Sequence, residues 1–284
     1  MPTALLAAPR ARRVFPDPQP LPFHAGDVLD QPTFHHLSER LPDHVSERLP
    51  DHVSAELVGG VVIMPLSVTE DHGSVHADAT MSAGPYRIRT PGVEVTDNSS
   101  VILGPASEPH PDVVLRLAPD CGGQAVVVNH HITAVPELVM EVSVSAEAPD
   151  LGGRRDYQQG GVQEYVVVLV RHRRVVWFDT VDGQFVEQAP DSDGVYRSRR
   201  FPGFWLDRNA LLERDGARLL EVLQQGLDSP AHAAFVAELA ARRAAFAANP
   251  ASRSASAPAS SGHGHGAERR CDASCGRCAN CGTT

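Results

Sequence analysis

The chain has 284 residues, 42% of them hydrophobic, and a formal net charge of −10. That is enough material for one good-sized domain with extensions, and the excess of acid excludes a nucleic-acid binder held by overall charge, so any contact with DNA has to be local. No run approaches the roughly 18 apolar residues of a membrane span and the opening residues lack the apolar core of a signal peptide, which makes the cytoplasm the expected compartment.

Residues 1–35 are expected to form a disordered Pro-rich arm, because Pro at this density removes backbone donors from helix and sheet alike. An exact duplication follows, SERLPDHV at 38–45 and again at 46–53, too short for a solenoid repeat and read as a tolerated slip in a surface segment. The run AELVGGVVIM places Gly59 and Gly60 between two apolar stretches, the pattern of a tight hairpin. Thr69 followed by an acid predicts a helix start over 69–82.

PGVEVTDNSSVIL and HPDVVLRL read as strands, and PELVMEVSVS, nearly continuous in apolar residues, reads as a central strand covered on both faces. A short helix is predicted at 150–160, then EYVVVLV, RRVVWFDT, QFVEQA and GVYRSR as a strand and a meander on the same sheet. Apolar residues at helical spacing between Leu211 and Ala248, interrupted at Gly226 and Pro230, predict two helices as a C-terminal extension that packs on the core or on a partner. Residues 249–284 begin as a low-complexity linker. They end in Cys271, Cys275, Cys278 and Cys281 after His263 and His265; four thiolates can hold Zn²⁺ or an iron-sulfur cluster, but the spacing lacks the two separated pairs of a structural zinc site, and weak, adventitious binding is the preferred reading.

The chemistry resides in two strand-borne acids, Asp112 in HPDVVL and Glu141 in ELVMEVSVS. An ionised carboxylate among core residues is costly unless paired or metal-bound, and two carboxylates on neighbouring strands suffice for Mg²⁺. The same residues also read as a turn Pro-Asp and as a Glu facing solvent at a sheet edge. Two Arg-rich stretches, 171–174 and 197–200, fit either a track for a phosphate backbone or solvated strand ends.

The run from Glu56 to Leu211 resembles the Uma-two family of restriction-endonuclease-like proteins, within the PD-(D/E)xK nuclease superfamily. The resemblance is carried by ELVGGVVIMP at 56–65, HG at 72–73, EPHPDVVL at 108–115, PELVMEVS at 136–143, GVQEYVVV at 161–168 and FPGFWLD at 201–207. It implies an α/β restriction-endonuclease-like domain over 36–210, a mixed central β-sheet flanked by helices, followed by a helical extension over 211–248. It further implies Asp112 and Glu141 as catalytic ligands of Mg²⁺ or Mn²⁺, Glu56 as a further ligand or supporting acid, and His72 as a residue near phosphate or bound water, a plain place on the helix surface being the other reading of His72. DNA is the implied partner, a homodimer is compatible with it, and no membrane is expected.

The resemblance departs from its pattern at the catalytic Lys, since all 25 basic residues are Arg. Two residues after Glu141 stands Ser143, and in DLGGRRDY at 150–157 the helix-borne Lys position falls on Arg154 counting from Asp150, or on Gly153 counting from Tyr157. Arg154 can hold positive charge at a phosphate but cannot lose a proton at ordinary pH. The expectation is therefore an endonuclease, with a catalytically lapsed nucleic-acid-binding or interaction module as the alternative.

Overall fold

The computed structural model describes residues 22–39, 55–64, 69–144 and 151–249. The tandem duplication beyond Glu39 and the cysteine-rich tail lie outside the described residues. A six-stranded mixed sheet forms the centre, in the order β11-β10-β9-β8-β5-β3. Its strands are β3 (Val93–Asp97), β5 (Val113–Leu117), β8 (Leu138–Ser143), β9 (Glu164–Leu169), β10 (Arg174–Val181) and β11 (Gln184–Gln188). All neighbouring pairs are antiparallel except β8 with β9. That parallel pair requires a crossover, which the helix α3 (Leu151–Gly160) supplies. The expectation that PELVMEVSVS is a central strand holds: β8 has neighbours on both sides and apolar residues on both faces.

Alternation along β8 divides the core. Leu138, Met140 and Val142 face a large cluster with Trp177, Tyr86, Phe201, Phe204 and Leu206, whereas Val139 faces a smaller one with Tyr157, Tyr165, Phe178 and Phe185. Large side chains fully buried in this way stabilise by about 1.5–3 kcal/mol each. The first face is covered by α2 (Glu70–Arg89) and by α4 (Arg208–Glu213), α5 (Gly216–Leu227) and α6 (Pro230–Ala248). Leu219, Leu223, Leu227, Phe235 and Leu239 are buried in that same cluster, so the helices expected as an extension complete the main core. Thr69 caps α2 as expected, its hydroxyl accepting from the His72 amide, but the helix continues through Pro85 to Arg89.

The Gly59-Gly60 hairpin is present as β1 (Glu56–Val58) and β2 (Val61–Ile63), with both glycines at positive φ (58° and 80°), the turn geometry that a two-residue hairpin favours. Three strands were not anticipated: β6 (Val126–Val128) and β7 (His131–Thr133) form a hairpin that continues onto β4 (Val101–Ile102), and β13 (Trp205–Asp207) pairs with β12 (Val195–Arg197). GVYRSR therefore leaves the meander and makes a separate two-stranded ribbon. The part of the expected arm from residue 22 onward is also built into the fold. Helix α1 (Gln31–Glu39) and Phe23 pack with Leu57 and Val62 of the hairpin, because Phe23 and Phe34 bring two aromatic rings that the hairpin can bury.

Candidate active site

Asp112 and Glu141 are brought together by strand register. Val113 is paired with Met140 across β5 and β8, so the next position outward sets Asp112 opposite Glu141. The Asp112 amide points at Glu141 Oε2 at 3.5 Å, and Asp112 Oδ2 accepts from the Val142 amide at 2.7 Å. Asp112 is buried, and its other oxygen, Oδ1, faces His72 Nε2 at 3.1 Å.

Helix α2 delivers a second imidazole to the same carboxylate. His76 stands one turn after His72, the spacing that puts two side chains on one helix face, and the two rings meet edge-on with centroids 5.8 Å apart. His76 Nδ1 lies 4.0 Å from Asp112 Oδ1, while its Nε2 is 2.8 Å from Asp97 and 3.0 Å from the Asp112 carbonyl. The ligand-capable atoms of His72, His76 and Asp112 all lie within 4.8 Å of one another. Sequence reasoning singled out His72 and overlooked His76, although the His-x3-His spacing within a helical segment was the available signal.

Glu141 accepts a 2.6 Å hydrogen bond from Tyr157 on α3. Burial, then the negative charges of Asp112 and Glu56, push its carboxyl well above the usual carboxylate range. Tyr157 is pushed upward too, by burial and by Glu141. Glu56 thus acts electrostatically on the same point from β1. The hairpin carrying it is tied to α3, where Asp156 accepts from the Gly59 amide at 2.7 Å. The hydrogen bond to the Asp112 carboxylate raises the pKa of His72.

Arg154 is placed differently. Its guanidinium lies 4.1 Å from the centroid of the Phe178 ring, and no ion pair joins it to Asp112 or Glu141. Three residues later on the same helix face, Tyr157 touches Glu141. Ser143, in the position two after Glu141, ends β8 opposite Leu169. The Arg-rich stretches are largely neutralised within the chain: Arg173 pairs with Glu213, Arg174 with Glu187, Arg197 with Asp191 and Arg199 with Asp179. Their reading as a free phosphate track loses support accordingly.

A family model described as "Putative restriction endonuclease" (Uma2) matches residues 39–209. The chain belongs to the Uma2 family. The match spans more than half of the chain and contains Glu56, His72, Asp112, Glu141 and Arg154. Among solved structures, a protein from Anabaena variabilis ATCC 29413 titled "a putative nuclease belonging to DUF820" is similar at 11% identity. It covers 59% of this chain and 94% of its own, with a TM-score of 0.47. No curated protein matches the chain.

Proposed function

We propose that this Uma2 protein is a metal-dependent endonuclease acting on DNA phosphodiester bonds, with Asp112 and Glu141 holding Mg²⁺ or Mn²⁺ and Glu56 supporting them. The observation that carries this reading is the strand register that sets Asp112 opposite Glu141, with the charge of Glu56 felt at Glu141. Neither Asp112 nor Glu141 has an Arg partner among the described residues. Burial raises the Glu141 carboxyl and the neighbouring acids raise it further; a divalent cation would offset both with the hard oxygen donors it prefers. The nearby imidazole of His72 adds a nitrogen donor that suits Mn²⁺ and later transition metals better than Mg²⁺.

Asp112 and Glu141 would hold the cation, which would supply a lowered pKa for bound water and offset charge developing on the phosphate. The chain's own groups do the rest. Val142 fixes one oxygen of Asp112 and leaves the other directed at His72, and Tyr157 orients Glu141. Arg154, seated on Phe178 one turn before Tyr157, would supply positive charge for a phosphate oxygen by leaving that ring. It cannot serve as a base, since guanidinium does not deprotonate in proteins.

The seat of Arg154 on Phe178 also favours a second reading, a nuclease fold that keeps its metal and nucleic-acid site but has lost the chemistry. Incubation of supercoiled plasmid with Mg²⁺ or Mn²⁺ separates the two. Nicking by the wild type, absent from Asp112→Asn and Glu141→Gln, is the expected result. Intact plasmid despite metal binding that Asp112→Asn removes identifies the lapsed protein.

A further inference from the structure

A second cluster of metal-capable side chains lies away from the acidic site, where α1 meets the small β4-β7-β6 sheet. His35 and Glu39 project one turn apart from α1. His131 is the first residue of β7 and closes the β6-β7 hairpin opposite Val128, after Asn129 and His130 turn the chain with φ of 48° and 70°. The ligand-capable atoms of His35, Glu39 and His131 lie within 4.8 Å of one another, and the two rings meet edge-on with centroids 4.5 Å apart.

The hydrogen bonding behind His35 fixes which nitrogen faces the cluster. Its Nδ1 donates to Glu108 Oε1 at 2.9 Å. Glu108 is 2% exposed and is itself held by Ser100 at 2.8 Å and by the Gln31 amide group at 2.8 Å. A buried carboxylate that takes the proton on one imidazole nitrogen leaves the lone pair of the other pointing outward, the arrangement that orients His toward a metal. Here that outward atom is Nε2, and it faces an oxygen of Glu39 at 3.5 Å. His131 Nε2 faces the same oxygen at 3.7 Å.

Both gaps exceed the roughly 2.7–2.9 Å of a charge-assisted hydrogen bond. They approach instead the edge of a tetrahedron of zinc ligands, roughly 3.3 Å for bonds of about 2.0–2.1 Å. We propose that His35, Glu39 and His131 form a site for a borderline divalent cation of the Zn²⁺ class, oriented by Glu108 and open at a fourth position. Two imidazoles and one carboxylate are a donor set that Zn²⁺ accepts and that Mg²⁺ does not favour. A bound ion would link α1 to the β6-β7 hairpin; their buried residues Phe34 and Ile132 belong to separate apolar clusters.

The test uses the full chain with Asp112→Asn, and with Cys271, Cys275, Cys278, Cys281, His263 and His265 replaced by Ser, so that neither the acidic site nor the tail competes. Co²⁺ is titrated while its visible ligand-field bands are followed, and Zn²⁺ is then added to displace it. One equivalent of Co²⁺, displaced by Zn²⁺ and lost when His131→Ala is added, is the expected result, with at least tenfold weaker binding for Glu39→Gln. Both substituted side chains are partly exposed, and the circular dichroism of each variant is compared with its parent; should one variant unfold, the other gives the reading. Binding of unchanged stoichiometry and affinity in a folded His131→Ala or Glu39→Gln variant, or no Co²⁺ uptake by the parent, overturns the proposal.

Discussion

Two pairs of acids face each other across antiparallel strands of the same sheet, and the chain treats them in opposite ways. Glu164 and Asp179 are paired across β9 and β10 and both are buried. Glu164 accepts from Ser198 at 2.5 Å, from the Arg199 amide at 2.6 Å and from the Arg200 amide at 3.2 Å, and Asp179 is ion-paired with the Arg199 side chain at 3.3 Å. Asp112 and Glu141 receive two backbone contacts, two imidazoles and a tyrosine hydroxyl, but no guanidinium. The first pair is met by the protein's own donors and cation, save Asp179 Oδ1, which is buried without a hydrogen bond. The second faces the imidazoles of α2, and on the proposed function a divalent cation would complete it.

That contrast is broken most severely by removing an acid of the second pair. Glu141→Gln is expected to lower plasmid nicking by more than the roughly 10- to 100-fold typical of groups that merely orient a ligand, with the fold retained in circular dichroism. Nicking at the wild-type rate would transfer the chemistry elsewhere.

The first pair predicts an effect on stability alone. Burial raises the Glu164 carboxyl from 4.5 to about 7. The unfolded chain therefore loses its proton first as pH rises, so the stability that Glu164 contributes is fully present below about 4.5 and declines until about 7, by about 3 kcal/mol. Glu164→Gln keeps an acceptor for the Arg199 and Arg200 amides and removes the titration. Urea unfolding at pH 4.5 and pH 7.5 should show a fall in the wild type that is flattened in the variant, with nicking unaffected by the substitution. An equal fall in both would mean that other groups carry the slope.

Smaller effects sharpen the picture at α3. Tyr157→Phe removes the hydrogen bond to Glu141 and is expected to weaken Mn²⁺ binding about tenfold, at the lower end for a ligand's supporting partner. Arg154→Lys exchanges a guanidinium that stacks on Phe178 for an ammonium able to give up a proton, and a several-fold rise in nicking is expected. An unchanged rate would remove Arg154 from the reaction.

Part of the fold was legible from residues alone. Thr69 as a cap, the Gly59-Gly60 turn and the central place of PELVMEVS depend on local chemistry or on one strand's pattern, which sequence displays; Asp112 and Glu141 stood out as acids in strand segments, with their roles implied by the family resemblance. What escaped depends on distant partners. Residues 126–133 give little alternation, and β4 and β7 meet across thirty residues. GVYRSR leaves the meander because Trp205–Asp207 offers it another partner. Phe23 and Phe34 were hidden in a Pro-rich context, and their burial depends on a hairpin more than twenty residues later. His76 was legible from spacing, but its value appears only when α2 is laid beside Asp112.

The most direct test of the pair Asp112 and Glu141 is calorimetric titration of Mn²⁺ into the full chain carrying the Ser-substituted tail and His131→Ala, with and without Asp112→Asn. One equivalent of Mn²⁺ bound by the chain with Asp112, and lost or weakened by more than about tenfold in Asp112→Asn, is the result this account predicts. Equal binding in the two proteins would show that the acids paired across β5 and β8 do not hold the metal.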